Sequence, residues 1–165
     1  MKQVKVKIKA KRGWQGKVKI IACNLDGSVK DVTEIDLVNK INDLDLNMMR
    51  DALKGTVTDL KLKYMGWGND STPPAAGDTK LLDEFGRKLV TLQEDGAVGI
   101  LVTTTYVAPY EGNELKIEEL AWFAGVNATG TKDSGILVGR VLYSRQKTEL
   151  ESLQVERTDT FTEVV

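Results

Sequence analysis

The chain has 165 residues, 41% of them hydrophobic and 28% charged, with a net charge of -1. That length sustains one core, so residues 1–165 are expected to form a single domain, and the near-neutral charge gives no overall case for polyanion binding. The chain has no histidine and a single cysteine, Cys23, which removes the commonest general base, the commonest metal ligand and any internal disulfide.

No stretch approaches the roughly 20 apolar residues of a membrane-spanning helix, and no signal-peptide run is found between residues 13 and 29. The expectation is a soluble protein, made in the cytoplasm, with no cofactor, metal or membrane partner.

At the start, Lys2-Gln3-Val4-Lys5-Val6-Lys7-Ile8-Lys9-Ala10-Lys11 alternates lysine with apolar residues, the pattern of a strand with one cationic and one apolar face. A second strand over residues 17–23 is expected to pair with it across residues 13–16, making residues 1–30 a basic hairpin that serves as an arm or an edge. Asn24-Leu25-Asp26-Gly27 then makes a turn. Lysines on an edge strand discourage unwanted pairing, which is one reading of Lys5, Lys7 and Lys9. The other is docking on an acidic neighbour, because residues 1–25 carry eight Lys or Arg and no acid. Nucleic acid is a weaker candidate, since aromatic residues do not interleave with the lysines. Cys23 reads as a small buried residue.

From Ile35 the period changes. Leu37, Val38, Ile41, Leu44, Met48 and Leu53 recur at three- and four-residue spacing, which predicts one or two short helices near residues 35–54 that end at Gly55. The Met48–Met49 pair reads as core. A strand over residues 57–64 follows, then Trp67 and the Gly/Pro-rich stretch 68–77, a surface loop suited to contacts. Glu84 and Arg87 are read as lying three apart on a short helical turn, close enough for a charge-assisted bond. If exposed, such a pair contributes at most about 1 kcal/mol. If it is buried, loss of one partner costs roughly 3–5 kcal/mol.

Beyond Arg87 the chain reads as β: residues 88–94, 98–108, 115–126, 136–144 and 150–164, separated by short polar turns. Frequent strands without crossover helices predict a mainly β, α+β fold, an antiparallel β-sandwich or flattened barrel. Glu118 and Glu119 are adjacent in a strand and point to opposite faces, so they cannot form the facing carboxylate pair of a glycosidase. One of them can instead meet Arg140 across the sheet. Trp14, Trp67 and Trp122 are each open to two readings, interface anchor or core.

The order Gly66-x-Gly68, loop, Asp78-Thr79-x-Leu81-x-x-Glu84-x-x-Arg87, then Ile117-Glu118-Glu119-Leu120-x-x-Phe123, Gly135-Ile136-Leu137-Val138-Gly139-Arg140-Val141 and Lys147 resembles a family of tailed-bacteriophage virion structural proteins. The family includes tail-fibre and baseplate appendage domains and decoration-type proteins. The resemblance spans roughly residues 44–164; a Glu-x-Gly-Leu-Phe element of the family reads Glu119-Leu120-Ala121-Trp122-Phe123 here, and the lysine-rich start has no counterpart. The resemblance implies a non-enzymatic particle component located in the virion and made in the host bacterial cytoplasm. Its partners would be copies of itself in trimers or rings, other virion proteins, and in some cases a host-surface glycan or receptor. Two other functions fit the residues: a polysaccharide-binding or receptor-binding tail accessory using carboxylates and tryptophans, and a small nucleic-acid-binding β protein using Lys2 to Lys19.

Overall fold

The computed structural model describes residues 13–37 and 43–162. Its strands, in chain order, are β1 (Trp14–Asn24), β2 (Val29–Leu37), β3 (Leu62–Gly68), β4 (Glu84–Leu89), β5 (Leu92–Asp95), β6 (Ile100–Val107), β7 (Ile117–Ala124), β8 (Ile136–Arg145) and β9 (Glu151–Phe161), with one helix, α1 (Asp43–Leu53). They form two antiparallel sheets, one in the order β2-β1-β9-β6-β5 and one in the order β4-β3-β7-β8. The architecture is a β-sandwich.

Alternation explains the first sheet. In β1, Val18, Ile20 and Ala22 point inward and are fully buried, while Lys17 and Lys19 face water. β9 supplies Leu153 and Val155 to the same face, and the second sheet contributes Met65, Leu120, Trp122 and Val141. Each large apolar side chain buried between the sheets contributes about 1.5–3 kcal/mol. This interior also holds a charge pair, because Arg157 and Asp159 lie two apart on β9 and therefore share its inner face. The Arg157 fork donates to both Asp159 oxygens (2.8 Å each) and to the Val138 carbonyl (2.9 Å), and its Cζ lies 5.3 Å from the centre of the Trp122 ring.

The two sheets are joined along both sides. On one side the chain passes from β4 to β5 without turning back: the Val90 N–H donates to the Lys63 carbonyl on β3, and the next N–H, of Thr91, donates to the Thr104 carbonyl on β6 (2.8 Å each). On the other, Arg145 of β8 binds Asp31 of β2 (2.9 Å) and Glu151 of β9 (2.7 Å), with Lys30 on the same Glu151 carboxylate (2.9 Å).

Several expectations are corrected. Residues 2–11, and with them Lys5, Lys7 and Lys9 and the first strand of the expected basic hairpin, lie outside the described residues. The described strand β1 pairs with β2 over Gly16–Cys23, around the turn after Asn24, and with β9 over Trp14–Asn24. Helix does not begin at Ile35, which belongs to β2, and α1 starts at Asp43. The strand expected at 57–64 starts at Leu62 and runs to Gly68. Cys23 is half-buried and free, and Met49 is exposed.

The Glu151 cluster sets an acid limit on stability. Hydrogen bonds from Arg145 chiefly, and then from Lys30, hold the Glu151 carboxyl at about 2, down from 4.5, against the opposing effect of burial. Since the folded value lies below the unfolded one, this stabilisation is complete above the unfolded value and is lost as pH falls through it toward the folded one. Urea midpoints measured across that range should fall less steeply for E151Q than for the wild type; parallel curves would contradict the assignment.

Candidate functional site: a loop roof clamped by two buried arginines

The outer face of the four-stranded sheet is covered by two loops. Residues 69–83, between β3 and β4, fold back over it, as do residues 125–135 between β7 and β8. Leu81 of the first and Ala128 of the second pack with Ala121, Phe123 and Leu137 in a second small core outside the sandwich. For this reason β7 is buried on both faces.

Glycines make room for the returning loop. A Cβ on Gly66 would stand 2.9 Å from Leu81 Cδ1 and 3.1 Å from Phe123 Cε2. On Gly68 it would stand 2.7 Å from the Asp83 carbonyl and collide with the Glu119 carboxylate. The Gly66-x-Gly68 spacing thus puts two side-chain-free positions on one face of β3, directly under the loop.

Glu84 and Arg87 do not lie on a helical turn. They lie on β4, where residues three apart would ordinarily point to opposite faces. The pairing steps from Trp67–Gly86 to Gly68–Glu84, leaving Phe85 as an extra residue, and this bulge turns both side chains to the outer face. There the Arg87 fork binds Glu84 in bidentate fashion (2.5 and 2.8 Å), with side chains 3% and 1% exposed. The remaining nitrogen, Nη1, donates to the Thr129 and Ser134 carbonyls (3.0 Å each) and to Ser134 Oγ (2.8 Å). Glu84 in turn accepts the Asp133 N–H (3.1 Å), and the guanidinium sits 4.3 Å from the Phe123 ring centre. Asp133, in the left-handed region with φ 62°, and Gly135, with φ 88°, bend the loop to reach it.

Glu119 and Arg140 form the second clamp. Arg140 Nε donates to Glu119 (2.5 Å), Nη1 to Asp78 (3.1 Å) and Nη2 to the Thr72 carbonyl (2.9 Å). The Glu119 carboxylate also accepts the Asp83 N–H (2.9 Å) and the Leu82 N–H (3.3 Å). One fully buried ion pair therefore fixes both the outgoing and the returning limb of the 69–83 loop. Asp70 and Asp78 tighten the loop further, accepting the Thr72 N–H (2.7 Å) and the Ala75 N–H (2.9 Å). Hydrogen bonding from Thr72 holds the Asp70 carboxyl below the usual carboxylate range. Lys80 and Asp133 join the two loops at the surface (3.2 Å). The tip, residues 71–77, is exposed along its whole length, with Pro73-Pro74-Ala75-Ala76 held over an ordered base.

The sequence-predicted residues fall into three groups. Glu84, Arg87, Glu119 and Arg140 are brought together on the roofed face. Trp67 and Trp122 are not: both are buried in the sandwich core, Trp67 with its ring over Gly86. Lys5, Lys7 and Lys9 lie outside the described residues. Glu118, on the other side of β7 from its neighbour, pairs with Lys116, whose hydrogen bond lowers its pKa. Sequence reasoning missed Arg157 and Asp159, although their i, i+2 spacing inside the alternating run Leu153, Val155 was a signal that both face inward. It also gave no role to Lys147, which is buried and donates to the Pro109 carbonyl (2.9 Å) and Asn113 Oδ1 (3.0 Å), fastening the β6–β7 loop.

No family model, curated protein or solved structure matches the chain. Among the described residues, no helix is long and apolar enough to cross a membrane, and no group of three or more Cys, Asp or Glu side chains is placed to hold a metal ion.

Removing one partner of a buried ion pair leaves the other charge uncompensated and costs about 3–5 kcal/mol. R140M and R87M are each expected to lose stability of that order in urea denaturation, and an exposed-pair substitution such as Lys17→Met, which removes the bond to the exposed Glu34, far less. Equal small losses at all three positions would refute the clamp.

Proposed function

We propose that the chain is a non-enzymatic structural component of a tailed-phage particle, a compact capsid decoration or a tail, neck or baseplate appendage subunit that works through self-association and docking on the particle. One observation carries this reading. Among the residues on which the resemblance rests, Gly66, Gly68, Asp78, Leu81, Glu84, Arg87, Glu119, Phe123 and Arg140 converge on the roofed face, where they build and stiffen a loop platform, while Ile117, Leu120, Val138 and Val141 pack in the sandwich core and Lys147 holds the β6–β7 loop. Glycines supply the floor, carboxylates and arginines supply the clamps, and the exposed product is a loop tip with little conformational freedom left to lose on docking. A surface ordered in advance binds with a smaller entropic cost.

The alternatives find less support. Of the groups that a sugar-binding reading invokes, Trp67 and Trp122 are buried in the core and Glu119 is committed to Arg140. In the nucleic-acid reading, Lys17 and Lys19 belong to the basic stretch, yet Lys17 pairs with Glu34 (2.5 Å), and Lys19 stands between Glu34 and Glu156 in the sheet register.

The test is attachment. The tagged protein, expressed during infection by the phage that encodes it, should co-purify with particles. A chain carrying K5E, K7E and K9E should fold with an unchanged melting temperature and occupy fewer sites. Absence of the wild-type protein from particles would overturn the reading, and unchanged occupancy of the variant would show that the lysines act only as edge protection.

A further inference from the structure

Among the described residues, the buried cations Arg140 and Arg157 each hold a carboxylate, but Lys147, in the turn between β8 and β9, does not. It is 1% exposed, and its Nζ meets only neutral acceptors: the Pro109 carbonyl (2.9 Å), Asn113 Oδ1 (3.0 Å) and the Thr148 carbonyl (3.4 Å). We propose that Lys147 and Asn113 become joined by an intramolecular isopeptide bond, formed by attack of the lysine amine on the asparagine side-chain amide with loss of ammonia.

Burial supplies the nucleophile. An ammonium taken out of water without a counter-ion is costly, so the site favours the neutral amine. Burial accordingly pushes the Lys147 pKa below its ordinary value, helped by the charge of Arg145 and opposed by the carboxylates of Glu151, Glu111 and Glu114. A desolvated, neutral lysine amine attacks carbonyl carbon.

The β6–β7 loop supplies the electrophile and its orientation. Asn113 Nδ2 donates to the same Pro109 carbonyl that accepts Lys147 Nζ (2.6 Å), so one backbone oxygen holds both the attacking and the departing nitrogen, with Asn113 Cγ one bond beyond the Oδ1 atom that Nζ already touches. Reactants fixed in this way react as a single molecule, an advantage that reaches effective molarities of about 10⁵ M or more.

In the step, the Nζ–Cγ bond forms, the Cγ–Nδ2 bond breaks, and the proton shed by Nζ leaves on Nδ2 as ammonia, with no oxidant or cofactor involved. The product suits the site better than the reactants do: the chargeable amine is gone, and the one N–H that remains keeps the Pro109 carbonyl as its acceptor. Because β6 and β9 belong to one sheet and β7 and β8 to the other, the β6–β7 loop and the β8–β9 turn both cross between the sheets, and the bond staples these two crossings at one end of the sandwich. The inference does not depend on the virion reading, since the bond would form in the isolated protein.

The experiment is the intact mass of the full-length wild-type protein, fresh and after prolonged incubation at mildly alkaline pH, followed by tryptic mapping. The mass should fall below that of the sequence by one ammonia, with the peptide holding Asn113 joined to the peptide holding Lys147 and no cleavage after Lys147, and N113A should keep its full mass. A wild-type chain that keeps its full mass at both times overturns the proposal. So does an ammonia loss that leaves the two peptides separate, as a succinimide at Asn113 would.

Discussion

The Arg140–Glu119 pair is the constraint on which the outer half of this structure depends. Two ions taken out of water cost several kcal/mol each, and their attraction repays this only when the geometry is good and every remaining donor and acceptor is used. Here the arginine also binds Asp78 and the Thr72 carbonyl, while the carboxylate also takes the Leu82 and Asp83 amides. The partners that make burial tolerable are therefore the loop itself. Were the loop to lift, both charges would be left on a largely apolar sheet face, so loop and pair must open together. Arg87 and Glu84 repeat the design for the 125–135 loop, and Leu81 seals the space between the two.

The sandwich beneath supplies a stiff base. Its sheets are linked on one side by a strand that passes from one sheet to the other at Val90 and Thr91, and on the other by the Arg145, Asp31 and Glu151 cluster. The central strands β7 and β9 carry Glu119 on the outer face of β7 and Arg157 with Asp159 on the inner face of β9, while Arg140 stands on β8 and the Glu84–Arg87 pair on β4, the two edges of the four-stranded sheet.

Much of the fold was legible in the sequence, because alternation survives wherever one face is wet. Lys17 to Cys23, the turn after Asn24, and the strands near residues 100–107, 136–145 and 151–161 follow directly from that rule. Reading failed where a second influence overrode the period. The i, i+3 spacing of Glu84 and Arg87 imitates a helical turn because the bulge at Phe85 inserts one residue. On β7, the side taken by Trp122 could not be decided because loops cover the outer face and both sides are apolar. The strand β2 was missed because its exposed residues, Asp31, Glu34 and Asp36, break the apolar pattern, and Ile35 and Leu37 were absorbed into the helical period that follows. Of the clamps, the meeting of Glu119 with Arg140 was foreseeable from cross-strand pairing. Its grip on Thr72, Asp78 and the Leu82 and Asp83 amides was not, since a loop's return path leaves no periodic trace.

The most direct measurement is residue-resolved amide hydrogen exchange of the wild-type protein at Leu82 and Asp83, whose N–H groups bond to the Glu119 carboxylate in a segment outside any strand. If the clamp makes the roof part of the cooperative fold, the Asp83 amide will exchange as slowly as the amides of β7. Exchange at the rate of an unprotected loop would show that the roof opens on its own and that the preformed platform does not exist.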